Sequence, residues 1–235
     1  MVLAAGEGSR IKHFLKEDEP VKAMLRVGEK RLIDLVLDSL EGINVERAVL
    51  SYPSLEYNEL DKRVEERNIK VVKQWLLHLK LPYLLELPII LSTQYHLSRD
   101  RNYLQSFDSI MALQCDKVLE GVNLGEMLKF HYQELQNPNN MQVTLLSRQG
   151  TYPYCRAELF KMEGDRIIGR KGYKENPVNG YEITSQAGTF VFSRGMLKNP
   201  LWVLFGLRYN KILRYLAEGT WIDYGHPENL QRLRT

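Results

Sequence analysis

The sequence has few of the features that mark a disulfide-rich, nucleic-acid-binding or membrane-spanning protein. Its 235 residues include only two cysteines, Cys115 and Cys155, which form neither a disulfide framework nor a metal-binding spacing. The formal net charge is only +3, and no long run of lysine or arginine provides a nucleic-acid footprint. The leucine-rich stretch Trp75–Leu97 is interrupted by two charged residues, a histidine and two prolines, so it cannot cross a bilayer, which needs about 20 mostly apolar residues. These residues are His78, Lys80, Pro82, Glu86 and Pro88.

The composition is ordinary for a globular protein, with a small excess of cations. Apolar residues make up 44% of the chain and charged residues 26%, which is enough for a core of its own. The apolar start lacks the basic leader of a signal peptide, and two thiols in so long a chain suit a reducing compartment. We therefore expect one cytoplasmic domain over residues 1–235 that binds an anionic small molecule and neither nucleic acid nor membrane.

A glycine-rich turn directly follows a short apolar run near the start of the chain. The turn reads Leu3-Ala4-Ala5-Gly6-Glu7-Gly8-Ser9-Arg10. Gly6 and Gly8 tolerate positive φ and leave no Cβ atom in the way of a ligand, and consecutive N–H groups in such a turn form a concave anion site. Arg10 adds a planar guanidinium suited to phosphate oxygens, and Lys22 adds a mobile point charge. The stretch therefore predicts a polyphosphate-binding turn.

Two better-known phosphate-binding loops do not match this turn. A Walker-type loop needs a glycine, four residues and then Gly-Lys-Ser/Thr, which the turn does not contain. The dinucleotide fingerprint needs a third glycine where this chain has Ile11, which argues against a nicotinamide-dependent dehydrogenase. A tight turn that merely leaves a buried strand is the alternative for Gly6 and Gly8 alone, whereas the full string with Arg10 favours anion binding.

This string resembles the signature of the sugar-1-phosphate nucleotidylyltransferases, whose fold is shared by molybdopterin and phosphocholine nucleotidyltransferases. In that family a lysine, a Val-Gly pair and a Leu-Ile pair follow the turn in the register found here. Three later stretches resemble a strand that ends in Gly-Asp, an Ala-Gly strand, and the motif Trp-x-Asp-x-Gly-Thr-Pro-Glu-Asp-Leu. The matching residues are Lys22, Val27-Gly28, Leu32-Ile33, Gln114-Cys115-Asp116, Ala187-Gly188-Thr189-Phe190 and Trp221-Ile222-Asp223-Tyr224-Gly225-His226-Pro227-Glu228-Asn229-Leu230.

The order of the predicted elements favours an α/β fold. Hydrophobic periodicity predicts helices over residues 32–40, 55–68 and 212–216, and strands over 45–51 and 69–72. This βαβα order is typical of a parallel sheet, and Glu163-Gly164-Asp165 predicts a hairpin turn. The resemblance implies a Rossmann-like, three-layer α/β/α sandwich of the nucleotide-diphospho-sugar transferase type. Its central sheet would be mostly parallel, with a small β-hairpin region.

The leucine-rich segment 75–101 lacks the turn with which the family reads the base. Its two prolines favour irregular structure packed as local core. The alternative is a face for a partner or for a second copy of the chain, so the resemblance leaves a homo-oligomer open.

The resemblance implies transfer of a nucleoside monophosphate from a nucleoside triphosphate to a sugar-1-phosphate, with release of pyrophosphate. Such transfer depends mainly on positioning and charge stabilisation. Arg10 would hold the leaving phosphates and Lys22 the α-phosphate, as catalytic residues, while Asp116 and Asp223 would bind Mg²⁺. The implied nucleotide-binding residues are Leu3, Ala4, Ala5, Gly6, Glu7, Gly8 and Ser9. Each of these residues, taken singly, has a simpler interpretation. Asp116 and Asp223 would then be ordinary turn or hydrogen-bonding residues, and Lys22 an ordinary surface lysine.

The acceptor side departs from the family pattern. The family has a Glu-Lys-Pro turn where this chain has Arg170-Lys171-Gly172, so the lysine matches and the carboxylate does not. The resemblance implies Lys171 and Gly188 as substrate-binding residues. The missing carboxylate leaves open another phosphorylated acceptor such as phosphocholine. The short first strand, the altered metal and sugar turns and the apolar middle of the chain leave open a non-catalytic relative that binds nucleotide as a regulatory subunit.

Overall fold

The computed structural model describes residues 1–5, 10–74, 83–97, 99–136, 138–140, 142–151, 157–172, 179–199 and 212–233. Its strands are β1 (Val2–Leu3), β2 (Arg26–Val27), β3 (Lys30–Arg31), β4 (Ala48–Ser51), β5 (Lys70–Lys73), β6 (Ser109–Gln114), β7 (Lys117–Glu120), β8 (Val143–Gln149), β9 (Ala157–Glu163), β10 (Arg166–Gly172), β11 (Glu182–Ser193), β12 (Ile212–Leu216) and β13 (Thr220–Asp223). Its α-helices are α1 (Leu32–Asp38), α2 (Asn58–Glu66), α3 (Tyr83–Leu97), α4 (Arg101–Gln105), α5 (Leu124–Glu134), α6 (Arg194–Lys198) and α7 (Pro227–Leu233).

The chain divides into two compact units, each built from separate segments. The first unit comprises Met1–Trp75, Ala112–Leu124 and Gly219–Thr235, and the second comprises Leu76–Met111 and Gly125–Glu218. Over the ranges given above, no helix combines the length and apolar character that a membrane span requires. The expectation of one domain over residues 1–235 stays a prediction.

The first unit contains three whole parallel strands and the end of a fourth, β6 from Ala112 onward, in the order β5-β4-β1-β6. The short strand β1 lies between two neighbours, because Val2 is paired with Val49 on one side and Leu113 on the other. Every residue of β4 is buried, as expected for a parallel strand covered on both faces. The carboxyl ends of these strands share one sheet edge, and the chain continues from β1 into Ala4 and the predicted phosphate-binding turn.

The second unit contains a closed sheet of five strands. Their order is β11-β8-β12-β10-β9, and a further pairing between β11 and β9 completes the ring. Of the pairings within this ring, β8 with β12 is parallel and the rest are antiparallel. The long strand β11 pairs with β8 along one edge and with β9 along the other, and Thr184 and Ser185 take part in both pairings. Its register with β8 shifts between Gln186 and Phe190, around Gly188 at φ +65°. Such a bulge bends a strand and so helps to close a ring.

The α/β class is confirmed, but a mostly parallel sheet describes the first unit alone. In the second unit a closed, mainly antiparallel sheet replaces it, because β11 pairs along one edge with β8 and along the other with β9. The predicted hairpin is confirmed as β9 and β10, with Gly164 at φ +56° in the turn.

Two local expectations are wrong. The helix predicted over residues 212–216 is strand β12, since pairing with β8 buries its first three residues whatever their helical spacing. In the segment 75–101, the described part forms α3 and the start of α4 rather than irregular structure.

Candidate functional site

Asp116 and Asp223 come from segments far apart in sequence that backbone hydrogen bonds join in the first unit. Asp116 lies between the ends of β6 and β7, and Asp223 is the last residue of β13. Strands β7 and β13 are antiparallel, with Lys117 opposite Asp223. The Tyr224 N–H group donates to the Asp116 carbonyl at 2.8 Å. The geometry of this strand pair therefore places the two aspartates beside each other.

Gly225 leaves open the space that these aspartates share. A Cβ atom at Gly225 would lie 2.7 Å from Asp116 Oδ2, 2.9 Å from Asp223 Oδ1 and 3.3 Å from Arg10 Nη2. The two carboxylate oxygens are thus no farther apart than the sum of the first two distances. The Gly225 N–H group also donates to Asp223 Oδ1 at 2.8 Å, which orients that carboxylate. Three residues that the sequence singles out therefore converge on one glycine.

Arg10 reaches this point because its neighbour anchors the chain. Ile11 is fully buried in an apolar cluster that also contains Tyr224, the residue before Gly225. The other buried members are Leu25, Leu32 and Leu230. The cluster draws the segment after the predicted turn towards the segment after β13, while Arg10 itself stays exposed.

Lys22 adds a second cation to the cluster. It begins a short 3₁₀ helix, Lys22–Met24, and its Nζ donates to Asp116 Oδ2 at 2.6 Å. Burial on its own would raise the pKa of Asp116, but the ammonium groups of Lys22 and Lys117 outweigh it and hold that pKa below its usual value. Burial likewise opposes the charge of Lys22, yet the charge of Asp116 raises the pKa of Lys22. Both groups are charged at neutral pH, and Lys22 keeps N–H donors for an anion.

The sequence interpretation missed a third cation, Lys117. Its Nζ lies 3.1 Å from Asp223 Oδ2, and both side chains are at least nine-tenths buried. Its place directly after Asp116 is visible in the sequence, but only the register between β7 and β13 shows which aspartate it meets. His226 is half-exposed, with Nε2 4.0 Å from the same oxygen, as expected of a loop side chain.

The predicted nucleotide-binding turn is described only at its start. Leu3 ends β1, and the Ala4 N–H group donates to the Leu50 carbonyl at 2.8 Å. Gly6, Glu7, Gly8 and Ser9 lie outside the described residues. Ala5 lines a cavity of about 740 Å³ together with Val21, next to Lys22, and two tyrosines that follow β4, Tyr52 and Tyr57.

The donor set suits a hard divalent cation. Carboxylate oxygens are the ligands that Mg²⁺ prefers, and Mg²⁺ commonly takes one or two carboxylates and completes its shell with water and phosphate oxygens. Asp116 and Asp223 supply two carboxylates around a glycine whose missing side chain leaves room. Among the described residues, no group of three or more histidine, cysteine, aspartate or glutamate side chains forms a closed metal site. Cys115 is buried, which raises the pKa of its thiol and suits a packed residue.

The second unit contains Lys171 and Gly188, the residues predicted to bind the acceptor. The Lys171 ammonium lies 4.7 Å from the centre of the Tyr181 ring, and Gly188 occupies the bulge of β11. Arg170, in place of the family carboxylate, forms a salt bridge with Glu158 on the adjacent strand β9. Glu158 is 2% exposed and also accepts a hydrogen bond from Gln186 Nε2. A buried carboxylate therefore meets Arg170 from a neighbouring strand that the motif does not include. Lys171 lies opposite Leu159 in the strand register, so its side chain projects from the other face of the sheet.

The chain is similar to known proteins in its structure but not in its sequence. No protein-family model and no curated protein match the chain. A Bacillus anthracis protein assigned as a glucose-1-phosphate thymidylyltransferase, solved with sucrose, is similar over 99% of this chain and 92% of its own, with a TM-score of 0.69 and 13% identity. HddC from Yersinia pseudotuberculosis is similar over 99% and 96%, with a TM-score of 0.65 and 15% identity. A second HddC structure, complexed with GMP-PN, has the same TM-score at 14% identity.

The class that these observations define is a protein with a sugar-nucleotidylyltransferase-like fold. The resemblance identified from the sequence is thereby confirmed at the level of the fold, because the structural similarity covers nearly the whole chain. The roles of the individual residues stay predictions, since identities of 13% to 15% carry the fold alone.

Proposed function

We propose that the protein is a nucleotidyltransferase that transfers a nucleoside monophosphate from a nucleoside triphosphate to a sugar-1-phosphate and releases pyrophosphate. The observation that carries the proposal is the convergence of Arg10, Asp116 and Asp223 on Gly225, with Lys22 held against Asp116. Proteins of the same fold include one assigned as a glucose-1-phosphate thymidylyltransferase, which supports the same reaction class.

The proposed cations act by neutralising phosphate charge. Two anionic groups must meet during the transfer, so their repulsion is the first barrier. Lys22 is oriented by Asp116, and its remaining N–H donors would bind oxygens of the α-phosphate. The exposed guanidinium of Arg10 would bind the departing phosphates in a bidentate manner. The backbone of Leu3 and Ala4 would contact the base, and the cavity beside Ala5 offers the space.

Asp116 and Asp223 would hold Mg²⁺, which when bound supplies positive charge against the phosphate oxygens. Asp223 is prepared for this role by the Gly225 N–H group, which fixes one carboxylate oxygen. Asp116 is kept ionised by its lysine neighbours, so this ligand is a carboxylate at neutral pH.

On the acceptor side we propose that Glu158 replaces the carboxylate of the family turn. It is buried and fixed by Arg170 and Gln186, and it reaches Arg170 from the strand that is paired with β10. Lys171 would bind the acceptor phosphate. The variant Glu158→Gln keeps the size of the side chain and removes its negative charge. It should then raise KM for the sugar-1-phosphate more than KM for the triphosphate.

The test is a matrix of nucleoside triphosphates and sugar-1-phosphates, incubated with the protein and Mg²⁺ and assayed for pyrophosphate. We expect release with at least one pair and loss of release in Asp223→Asn. Phosphocholine belongs in the acceptor panel, because Arg170 stands where the sugar-binding carboxylate is missing. Folded protein that releases no pyrophosphate from any pair would exclude the proposed reaction.

A non-catalytic relative that binds nucleotide is the second candidate, and one observation favours it. Both proposed metal ligands already form ion pairs with lysines, Asp116 with Lys22 and Asp223 with Lys117. Calorimetry separates the two functions. Tight triphosphate binding without turnover, unchanged by Asp223→Ala, would support the regulatory role.

A further inference from the structure

The proposed metal site contains its own cations. Lys22 Nζ lies 2.6 Å from Asp116 Oδ2, and Lys117 Nζ lies 3.1 Å from Asp223 Oδ2. The four side chains are between 7% and 17% exposed, so water screens these charges little. Two positive and two negative charges cancel, and Arg10 adds one more positive charge. The cluster as folded is therefore electrostatically complete without a divalent ion.

The backbone dictates the position of Lys117. Pairing of β7 with β13 sets Lys117 opposite Asp223, on a side chain with only 9% exposure. Burial of an ammonium group without a partner is costly, and Asp223 lies at ion-pair distance from Lys117. The other oxygen of Asp223 accepts the Gly225 N–H group, so both oxygens of this carboxylate are engaged. A metal ion in the space over Gly225 would meet Asp223 Oδ1, which already accepts one hydrogen bond, with the Lys117 ammonium on the other oxygen of the same carboxylate.

Resting on the proposed function, we infer that Lys117 is the permanent counter-cation of Asp223 and suppresses divalent-metal binding in the nucleotide-free protein. A divalent ion between the two aspartates would lie close to the Lys117 ammonium and be repelled by it. Mg²⁺ gives up its water reluctantly and needs several anionic oxygens in return. Phosphate oxygens of a bound triphosphate supply those oxygens. The metal is therefore held only together with nucleotide, and nucleotide binding precedes completion of the site.

The test is a titration of the nucleotide-free protein with Mn²⁺, a hard divalent ion whose free fraction is read directly by electron paramagnetic resonance. Wild type should show no saturable binding at micromolar Mn²⁺. Lys117→Gln should bind one Mn²⁺ about tenfold or more tightly than wild type, because a repelling charge is removed. Adding Asp223→Asn to Lys117→Gln should abolish that gain.

Two variants control for charge and for the loss of any ion pair. Lys117→Arg keeps the positive charge and should behave like wild type. Lys73→Gln removes a lysine that is paired with Asp61 in the same unit, outside the proposed site, and should also leave Mn²⁺ binding unchanged. Circular dichroism and thermal melting establish that each variant is folded.

Two results would overturn the inference: tight Mn²⁺ binding by wild type, or equal affinities in wild type and a folded Lys117→Gln. If Lys117→Gln does not fold, the wild-type titration still decides, because micromolar binding there contradicts a suppressing lysine. Since no nucleotide is present, these outcomes are independent of turnover. Absence of pyrophosphate release from wild type would refute the proposed reaction and leave the Mn²⁺ comparison intact.

Discussion

Replacing Gly225 by alanine should damage the site while leaving the fold nearly intact. The new methyl carbon would lie 2.7 Å and 2.9 Å from oxygens of Asp116 and Asp223, whereas favourable heavy-atom contacts begin at about 3.5 Å. Each carboxylate must therefore move by roughly 0.6 Å or more. A misplacement of about 1 Å in a catalytic group can cost about a hundredfold in rate. We expect kcat/KM for pyrophosphate release to fall about ten- to a hundredfold.

The stability cost of Gly225→Ala should be small for two reasons. Gly225 is not among the glycines with positive φ, so alanine fits its backbone. The three nearest atoms belong to side-chain ends, which can shift, and a restricted unfolded chain offsets part of the crowding. The free energy of unfolding should fall by about 1 to 2 kcal/mol, because overpacking typically costs about 1 to 3 kcal/mol and the restricted unfolded chain offsets part of it.

Gly42→Ala is the matched control. Gly42 has φ +78°, and a Cβ atom there would have no neighbour within 4 Å, so alanine strains the backbone without touching the site. It should cost about 1 kcal/mol of stability and leave kcat/KM unchanged. Denaturant titration and pyrophosphate assays on both variants separate the effects. If Gly225→Ala kept full activity, the shared space over Gly225 would not be the reaction site.

Three further predictions concern charge, pH and packing. Lys22→Met should lower kcat/KM by about a hundredfold or more, because the α-phosphate loses its cation; steady-state pyrophosphate release measures this, and unchanged kcat/KM would contradict it. Burial lowers the pKa of His131 to about 4. In the unfolded chain the same imidazole takes up a proton at a pH of about 6.5, so protonation favours unfolding below that pH. The free energy of unfolding should therefore be highest above a pH of about 6.5 and fall by about 3 kcal/mol as the pH is lowered to about 4. Denaturant titrations across this range should show a shallower pH dependence for His131→Gln, and an equal one would refute the assignment. Gly195→Ala should destabilise the protein by about 3 kcal/mol, because its Cβ would lie 1.9 Å from the Asn139 carbonyl oxygen; an unchanged melting temperature would count against it.

The sequence predicted secondary structure correctly where the residues of one helix, strand or turn determine its conformation by themselves. The helical stripe that begins at Leu32 forms α1, and the apolar run ending at Ser51 forms β4, because burial of one face or of both follows from the pattern. The turn at Gly164 formed as expected, since its residues have the right backbone preferences. The family landmarks also named two aspartates that the fold does bring together.

Other features depended on partners that lie far away in the chain. Residues 212–216 have helical spacing but form β12, because β8 offers a parallel strand and buried neighbours. The closed sheet of the second unit needs β11 to pair with β8 along one edge and with β9 along the other, and the residues of a strand do not by themselves say which two strands will be its neighbours.

The sequence by itself determined the local elements and the residue types available for phosphate chemistry, because backbone preference and side-chain chemistry are properties of each residue. Tertiary structure alone decided which charges meet. Lys117 forms its ion pair with Asp223 rather than with its neighbour Asp116 because the register between β7 and β13 places it there, and Glu158 reaches Arg170 through the pairing of β9 with β10. Register arises from the packing of whole strands, so no single motif encodes it.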